Sequence, residues 1–261
     1  MNKKYEFDIN DTIEIANGYK LTRIIALIDV GNNAKAGDKG GYIASGQNLS
    51  QEDDSWVGGD AQVFGDAKVF GNAIVTGNAK VFGNARIFDK ALVKGTARVH
   101  GNAMIGGEAF ISGNAIIFNG KVFENAEVYE NAKVFDNACI CGYAQVHGSA
   151  SIYGNAVVCN FAEVYDKAKV YDQAYVHGDA KVYGHSSVSE NAVVYGFSEV
   201  YENAKISGNC EIFGESSICG YASVYGDAKV YGSAFVYENA KVYGNVEVCD
   251  LARVGGDMCV Y

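Results

Sequence analysis

From Val57 onward an aliphatic residue recurs at every sixth position, at 63, 69, 75, 81, 87, 93, 99, 105, 111 and 117. The phase then slips by one residue, and the recurrence resumes from Val122 to Val260. Eleven hexads precede the slip and 24 follow it. A typical unit, Ala67-Lys68-Val69-Phe70-Gly71-Asn72, reads small, variable, aliphatic, aromatic, glycine or acid, then polar. Successive side chains on a strand face opposite sides, so Ala and Val turn inward while Lys and Phe turn outward. Gly-Asn supplies the bend, because Gly adopts positive φ at little cost and Asn tolerates it better than most residues. Each hexad is one short strand plus one corner. It buries two small side chains, too little to fold alone, so the pattern predicts an all-β solenoid in which coil stacks on coil.

Departures from Phe or Tyr at the outward position recur eighteen residues apart: Thr76, Lys94 and Ser112; Cys141, Cys159 and His177; Ser189 and Ser207. Three hexads per coil follow, giving a triangular prism. Roughly 12 coils at about 4.8 Å each make a rod on the order of 55 Å. The slip between Ile117 and Val122 reads as the loss of one inward Ala, absorbed at Asn119-Gly120 as a local kink or tightened turn. Residues 1–40 lack the hexad and carry alternating segments around Asn17-Gly18, a hairpin signal, so they are expected to form a small β-rich cap on a 41–261 β-helix. Gln51-Glu52-Asp53-Asp54 lengthens one corner. The C-terminal coil carries no polar cap, which leads to the expectation of a homo-oligomer through that end.

Composition sharpens this picture. The 261 residues include no Pro, where average usage near 5% would give about a dozen, as expected if nearly every backbone N–H is needed as a donor. No apolar run approaches the ~20 residues of a membrane span, and the N-terminal residues lack a secretory pattern, so no membrane association and a cytoplasmic location are expected. The formal charge of −10 argues against nucleic acid as a partner, since phosphate binding needs a basic face. Seven Cys without a CxxC pair fit reduced thiols rather than a disulfide framework or zinc ribbon.

The hexads resemble the hexapeptide repeats of left-handed β-helix proteins. Gly40-Gly41-Tyr42-Ile43, Asn48-Leu49-Ser50-Gln51 and Trp56-Val57, followed by Ala-x-Val-Tyr/Phe-Gly-Asn units, resemble the YdcK-like group of bacterial and phage solenoid proteins. Left-handed winding is what that resemblance implies. The chain departs from the usual hexapeptide pattern by placing Phe or Tyr directly after the aliphatic residue, and the group supplies no activity to transfer residue by residue.

Hexapeptide acyltransferases use a His near a cleft between subunits, with extruded loops that build the acyl-donor site. Here the hexads run from Val57 to Val260 without an insertion, and three of the four His (His100, His147, His177, His185) occupy the outward aromatic position. The plainer reading makes them substitutes for Tyr in a surface ladder, and no catalytic residue or cofactor is assigned. The zinc-binding carbonic anhydrases that share this helix use three His, and the His spacings here (47, 30 and 8) repeat no ligand pattern. Cys141, Cys159 and His177, with Cys139 beside them, are the one metal candidate, set against surface thiols filling a ladder. Tyr165, Tyr183 and Tyr201 on one proposed face, and Phe118, Phe135, Tyr153 and Tyr171 on another, are either a structural ladder or a binding face for a protein or polysaccharide. The acidic surface also admits a DNA mimic serving phage counter-defence. The favoured reading is a non-enzymatic scaffold or binding module. An acyltransferase-like protein with a site between chains is the alternative.

Overall fold

Val63 pairs with Val81, and Val81 with Val99, in parallel register. Three hexads therefore close one coil in the computed structural model, which describes residues 3–15 and 18–261. The fold is an all-β parallel solenoid of about 12 coils. Among the described residues no helix is long and apolar enough to cross a membrane. The chain divides into two compact units, Met1–Glu130 and Asn131–Tyr261.

The first unit opens with β1 (Tyr5–Glu14) and β2 (Lys20–Ala26), which pair antiparallel, and β3 (Lys39–Ile43), antiparallel to β2. Asn17, half of the expected turn signal, lies outside the described residues. The hexads then deliver β4 (Trp56–Val57), β5 (Gln62–Val63) and β6 (Lys68–Val69) to three different sheets, and β3 runs parallel to β5. Gly40 and Gly41 are needed where β3 meets the coil: a Cβ on Gly40 would lie 2.7 Å from the Trp56 ring, and one on Gly41 would lie 2.6 Å from the Ala61 carbonyl. Two cations fasten the antiparallel strands. Buried Lys4 donates from Nζ to the carbonyls of Asp53 and Ser55, both at 2.8 Å, inside the lengthened corner. Arg23 donates to Asp11 (2.7 Å), Tyr42 Oη (2.7 Å), Asp60 (2.9 Å) and the carbonyls of Gly40 and Gly59.

Inward positions hold almost nothing but Ala, Val and Ile, buried along both units except toward the C-terminal end, where Val246, Ala252 and Val260 are half-buried and Met258 is exposed. Where Ser replaces the inward Ala, the hydroxyl is satisfied locally: Ser186, Ser198 and Ser216 donate to the carbonyls of Tyr183, Tyr195 and Phe213 at 2.7, 2.8 and 2.9 Å. A buried hydroxyl is tolerated only with such a partner.

The corners differ from expectation in two respects. Only the first corner residue takes positive φ, while the Asn that follows does not. That first residue is Gly, Asn at Asn119 and Asn160, or, at Asp136, Asp166, Asp172, Glu190 and Glu202 among others, an acid held near +60°. A left-handed Glu is uncommon, and the neighbouring coil supplies its reason. The residues flanking each left-handed position donate to the next coil, as Tyr153 does to Val170 and Asn155 to Asp172, whereas the N–H between them points back to the preceding coil. A preceding acid accepts it: Asp136 from Gly154, Asp166 from Gly184, Asp172 from Glu190 and Glu202 from Gly220. Asn at the second corner position instead bonds Asn one coil away, as in Asn191–Asn209 at 3.0 Å.

The second difference concerns the slip. The missing residue is a corner residue and not the inward Ala. Gly120 is buried and its carbonyl accepts from Met104 N (3.1 Å), the role Ala103 plays for Arg86 N (2.9 Å). Asn119 alone makes the turn, at φ 60°, with Oδ1 accepting from Asn102 N at 2.8 Å. The strand faces are thereby preserved, and Met104 pairs with Lys121.

Within the second unit the strands fall into three sheets, whose first strands there are Lys133–Phe135, Cys139–Ile140 and Gln145–Val146, and each gains one strand per coil. They are called below the Lys133, Cys139 and Gln145 sheets.

Candidate functional site

On the Gln145 sheet the outward position after the aliphatic residue carries His147, Tyr165, Tyr183 and Tyr201 in successive coils. Because these strands are in register, the rings stack in parallel at centroid distances of 5.1, 4.8 and 5.1 Å. The predicted Tyr165–Tyr183–Tyr201 face is thus a continuous column. Of the second predicted set, Tyr153 stacks on Tyr171 at 4.9 Å in the Lys133 sheet, where Phe135 ends the first strand. Phe118 belongs to the first unit, where it follows His100 in the column Phe64–Phe82–His100–Phe118. Stacking occupies the ring faces and leaves edges and hydroxyls outward, so the columns are ladders with a polar rim rather than flat aromatic platforms. The Tyr183 hydroxyl donates to Glu199 at 3.1 Å. Burial, then the Glu199 charge, pushes the Tyr183 phenol well above its ordinary range.

The corner beside this column opens into a groove of about 680 Å³ lined by Ser149, Asp166, Lys167, Tyr183, His185 and Glu202, among others. Alternation makes the groove: Gly148 and Gly184 leave the first corner position bare in alternate coils, while Asp166 and Glu202 turn along the coil stack to accept N–H groups. The second corner position presents Lys167 and His185 in adjacent coils, and neither side chain has a hydrogen-bond or ion-pair partner among the described residues. In the first unit the equivalent Lys90 is answered by Glu108 at 2.8 Å. The groove therefore offers an uncommitted amine and imidazole beside tyrosine edges, with the nearby carboxylates already engaged.

The other His are ring-stacked. His100 lies between Phe82 (4.6 Å) and Phe118 (4.9 Å), and His177 between Tyr175 (4.3 Å) and Tyr195 (5.0 Å). Burial lowers the pKa of both. Cys141, Cys159 and His177 occupy successive coils of the Cys139 sheet, as expected. Among the described residues no group of three or more His, Cys, Asp or Glu is placed to hold a metal ion. Cys159 Sγ instead lies 3.3 Å from Tyr175 Oη, and that hydrogen bond, with burial, pushes the Tyr175 phenol up to about 12.

Sequence reasoning passed over the corner aromatics. Tyr143, Phe161, Phe197 and Tyr221 are 55, 58, 66 and 68% exposed. Tyr143 stacks on Phe161 at 5.1 Å. Their signal was available, since each stands where the repeat otherwise places Asn or another polar residue.

No family model matches this chain, and no curated protein matches it. Among solved structures the chain is similar to an Arabidopsis UDP-N-acetylglucosamine acyltransferase, with 14% identity, a TM-score of 0.39, and coverage of 67% of this chain and 70% of that one.

Proposed function

We propose that the protein is a non-enzymatic solenoid that presents the Tyr165–Tyr183–Tyr201 column and its flanking groove as a binding surface for a protein or polysaccharide partner. One observation carries this reading: Lys167 and His185, whose side chains have no hydrogen-bond or ion-pair partners among the described residues, stand in adjacent coils of a groove of about 680 Å³ whose carboxylates Asp166 and Glu202 are engaged by backbone N–H groups. An uncommitted amine and imidazole beside tyrosine edges suit a polar, hydrogen-bonding partner. On this reading β1 and β2 serve as the cap of the first coils. The test is affinity capture with the wild-type chain and with a Lys167→Ala/His185→Ala/Tyr183→Ser variant, in parallel with a neutral-glycan array. A partner or glycan retained by the wild type and released by the variant supports the proposal; equal retention by both overturns it.

A hexapeptide-type transferase is the second reading, favoured by the imidazole of His185 within the groove. Incubation with an acyl-thioester donor and an amino-sugar acceptor would then release free thiol in a His185-dependent manner. No release above the His185→Ala background removes this reading.

A further inference from the structure

The Cys139 sheet carries the densest set of thiols in the second unit. After the aliphatic residue, its successive coils present Cys141, Cys159, His177 and Tyr195. Backbone bonds Cys141 N to Val158 O and Cys159 N to Val176 O, both 3.0 Å, hold the two cysteines at the same step of adjacent coils. Side chains of this column run parallel: the His177 and Tyr195 rings lie 5.0 Å apart at 2°. Two thiols sharing that orientation stand one strand spacing apart, about 4.8 Å. Of the seven cysteines this is the one pair separated by a full coil of eighteen residues.

Parallel side chains cannot converge on a tetrahedral ion, but two of them can hold an ion between them. A cation in line between two thiolates needs sulfurs about 4.6 Å apart, twice a metal–sulfur bond of about 2.3 Å. Thiolate donors with no oxygen or nitrogen ligand select soft ions such as Cu(I). We propose that Cys141 and Cys159 form a two-coordinate site for a soft monovalent cation, Cu(I) or its analogue Ag(I). His177 stands one coil beyond Cys159, about 7 Å from the midpoint between the two sulfurs at one strand spacing per coil, and lies outside the ligand set. The Tyr175 hydroxyl, 3.3 Å from Cys159 Sγ, fixes that sulfur. Cys159 is 7% exposed and Cys141 more open, so the ion enters past Cys141. On binding, two S–H bonds break and two metal–sulfur bonds form. Both protons pass to water, the thiolate–metal–thiolate unit carries one negative charge, and no electron is transferred.

The reduced full-length protein is titrated with Cu(I) against a competing chelator, and separately with Ag(I). One tightly held equivalent is expected, with affinity falling about 100-fold or more in Cys141→Ser and in Cys159→Ser. Cys219→Ser, at a position with no cysteine one coil away on either side, retains it. X-ray absorption of the Cu(I)-loaded protein is expected to report two sulfur neighbours. Should Cys159→Ser fail to fold, the more open Cys141→Ser variant decides alone. An equivalent retained by Cys141→Ser, or weakened equally by Cys219→Ser, overturns the assignment.

Discussion

Glu190 accepts the backbone N–H of Gly208 through Oε2 at 2.7 Å, one coil further along. Its own N–H is accepted by Asp172 at 3.3 Å, so the corner acids cap one another in series. Much of the negative charge is thus structural: each carboxylate satisfies the one backbone donor that the coil-to-coil ladder leaves out. Glu190→Ala keeps a Cβ at positive φ while losing the acceptor, and is expected to destabilise the fold by about 1–2 kcal/mol. Glu190→Gly loses the same acceptor but relieves the backbone, and should lie near the wild type. Urea midpoints of the three proteins check the order.

Glycine at a corner has two separable roles, positive φ and clearance. A Cβ on Gly208 would lie 2.6 Å from both N and O of Gly226, whereas one on Gly244, also at φ +80°, meets nothing within 4 Å. Gly244→Ala should therefore lose only about 1 kcal/mol from φ, and Gly208→Ala about 3 from φ and steric overlap together. Thermal unfolding of both variants measures the difference.

The tyrosine columns predict an alkaline limit. Burial raises the phenol pKa of Tyr165, Tyr183 and Tyr195 above the ordinary value of 10.0, with acid neighbours adding to it. A group whose folded pKa is raised contributes fully below its unfolded pKa and loses that contribution as pH climbs toward the folded value. Stability is therefore expected to be unaffected by these groups below about pH 10 and to fall above it. Tyrosinate absorbance should rise late and together with loss of β-sheet circular dichroism. A simple titration near pH 10 with the fold intact would contradict this.

Lys4 is 2% exposed, and burial lowers its pKa against the pull of Asp53. Lys4→Met would leave the carbonyls of Asp53 and Ser55 without their donor, along with the Asp53 carboxylate at 3.4 Å. A loss of about 3 kcal/mol is expected, confined to the first coils. Hydrogen exchange should show faster opening of residues 4–14 and 49–57 with little change beyond Asn131.

The coil length was legible because the column Cys141, Cys159, His177 repeats its irregularity at the coil period, and a column is what register creates. Gly40-Gly41 was legible as a motif, though the reason for it, a close approach of Trp56 and Ala61, required the fold. Gly120 was misread because a residue filling the inward Ala position without a side chain looks like a deletion of Ala in one dimension. The acids at positive φ were read as surface charge, since their acceptor role depends on an N–H one coil distant. The groove at Lys167 and His185 is not legible in the sequence for a related reason: residues eighteen apart become neighbours only once the coil closes, and neither belongs to the aromatic pattern.

The parallel register within the second unit makes its length divisible. Excising residues 151–168 would join Ala150 directly to Lys169-Val170, and the hexad reading frame would pass through the junction unbroken. Every strand amide above the cut would meet a carbonyl of the same kind it had before, so the span could be shortened or extended by whole turns, much as a chain loses or gains links.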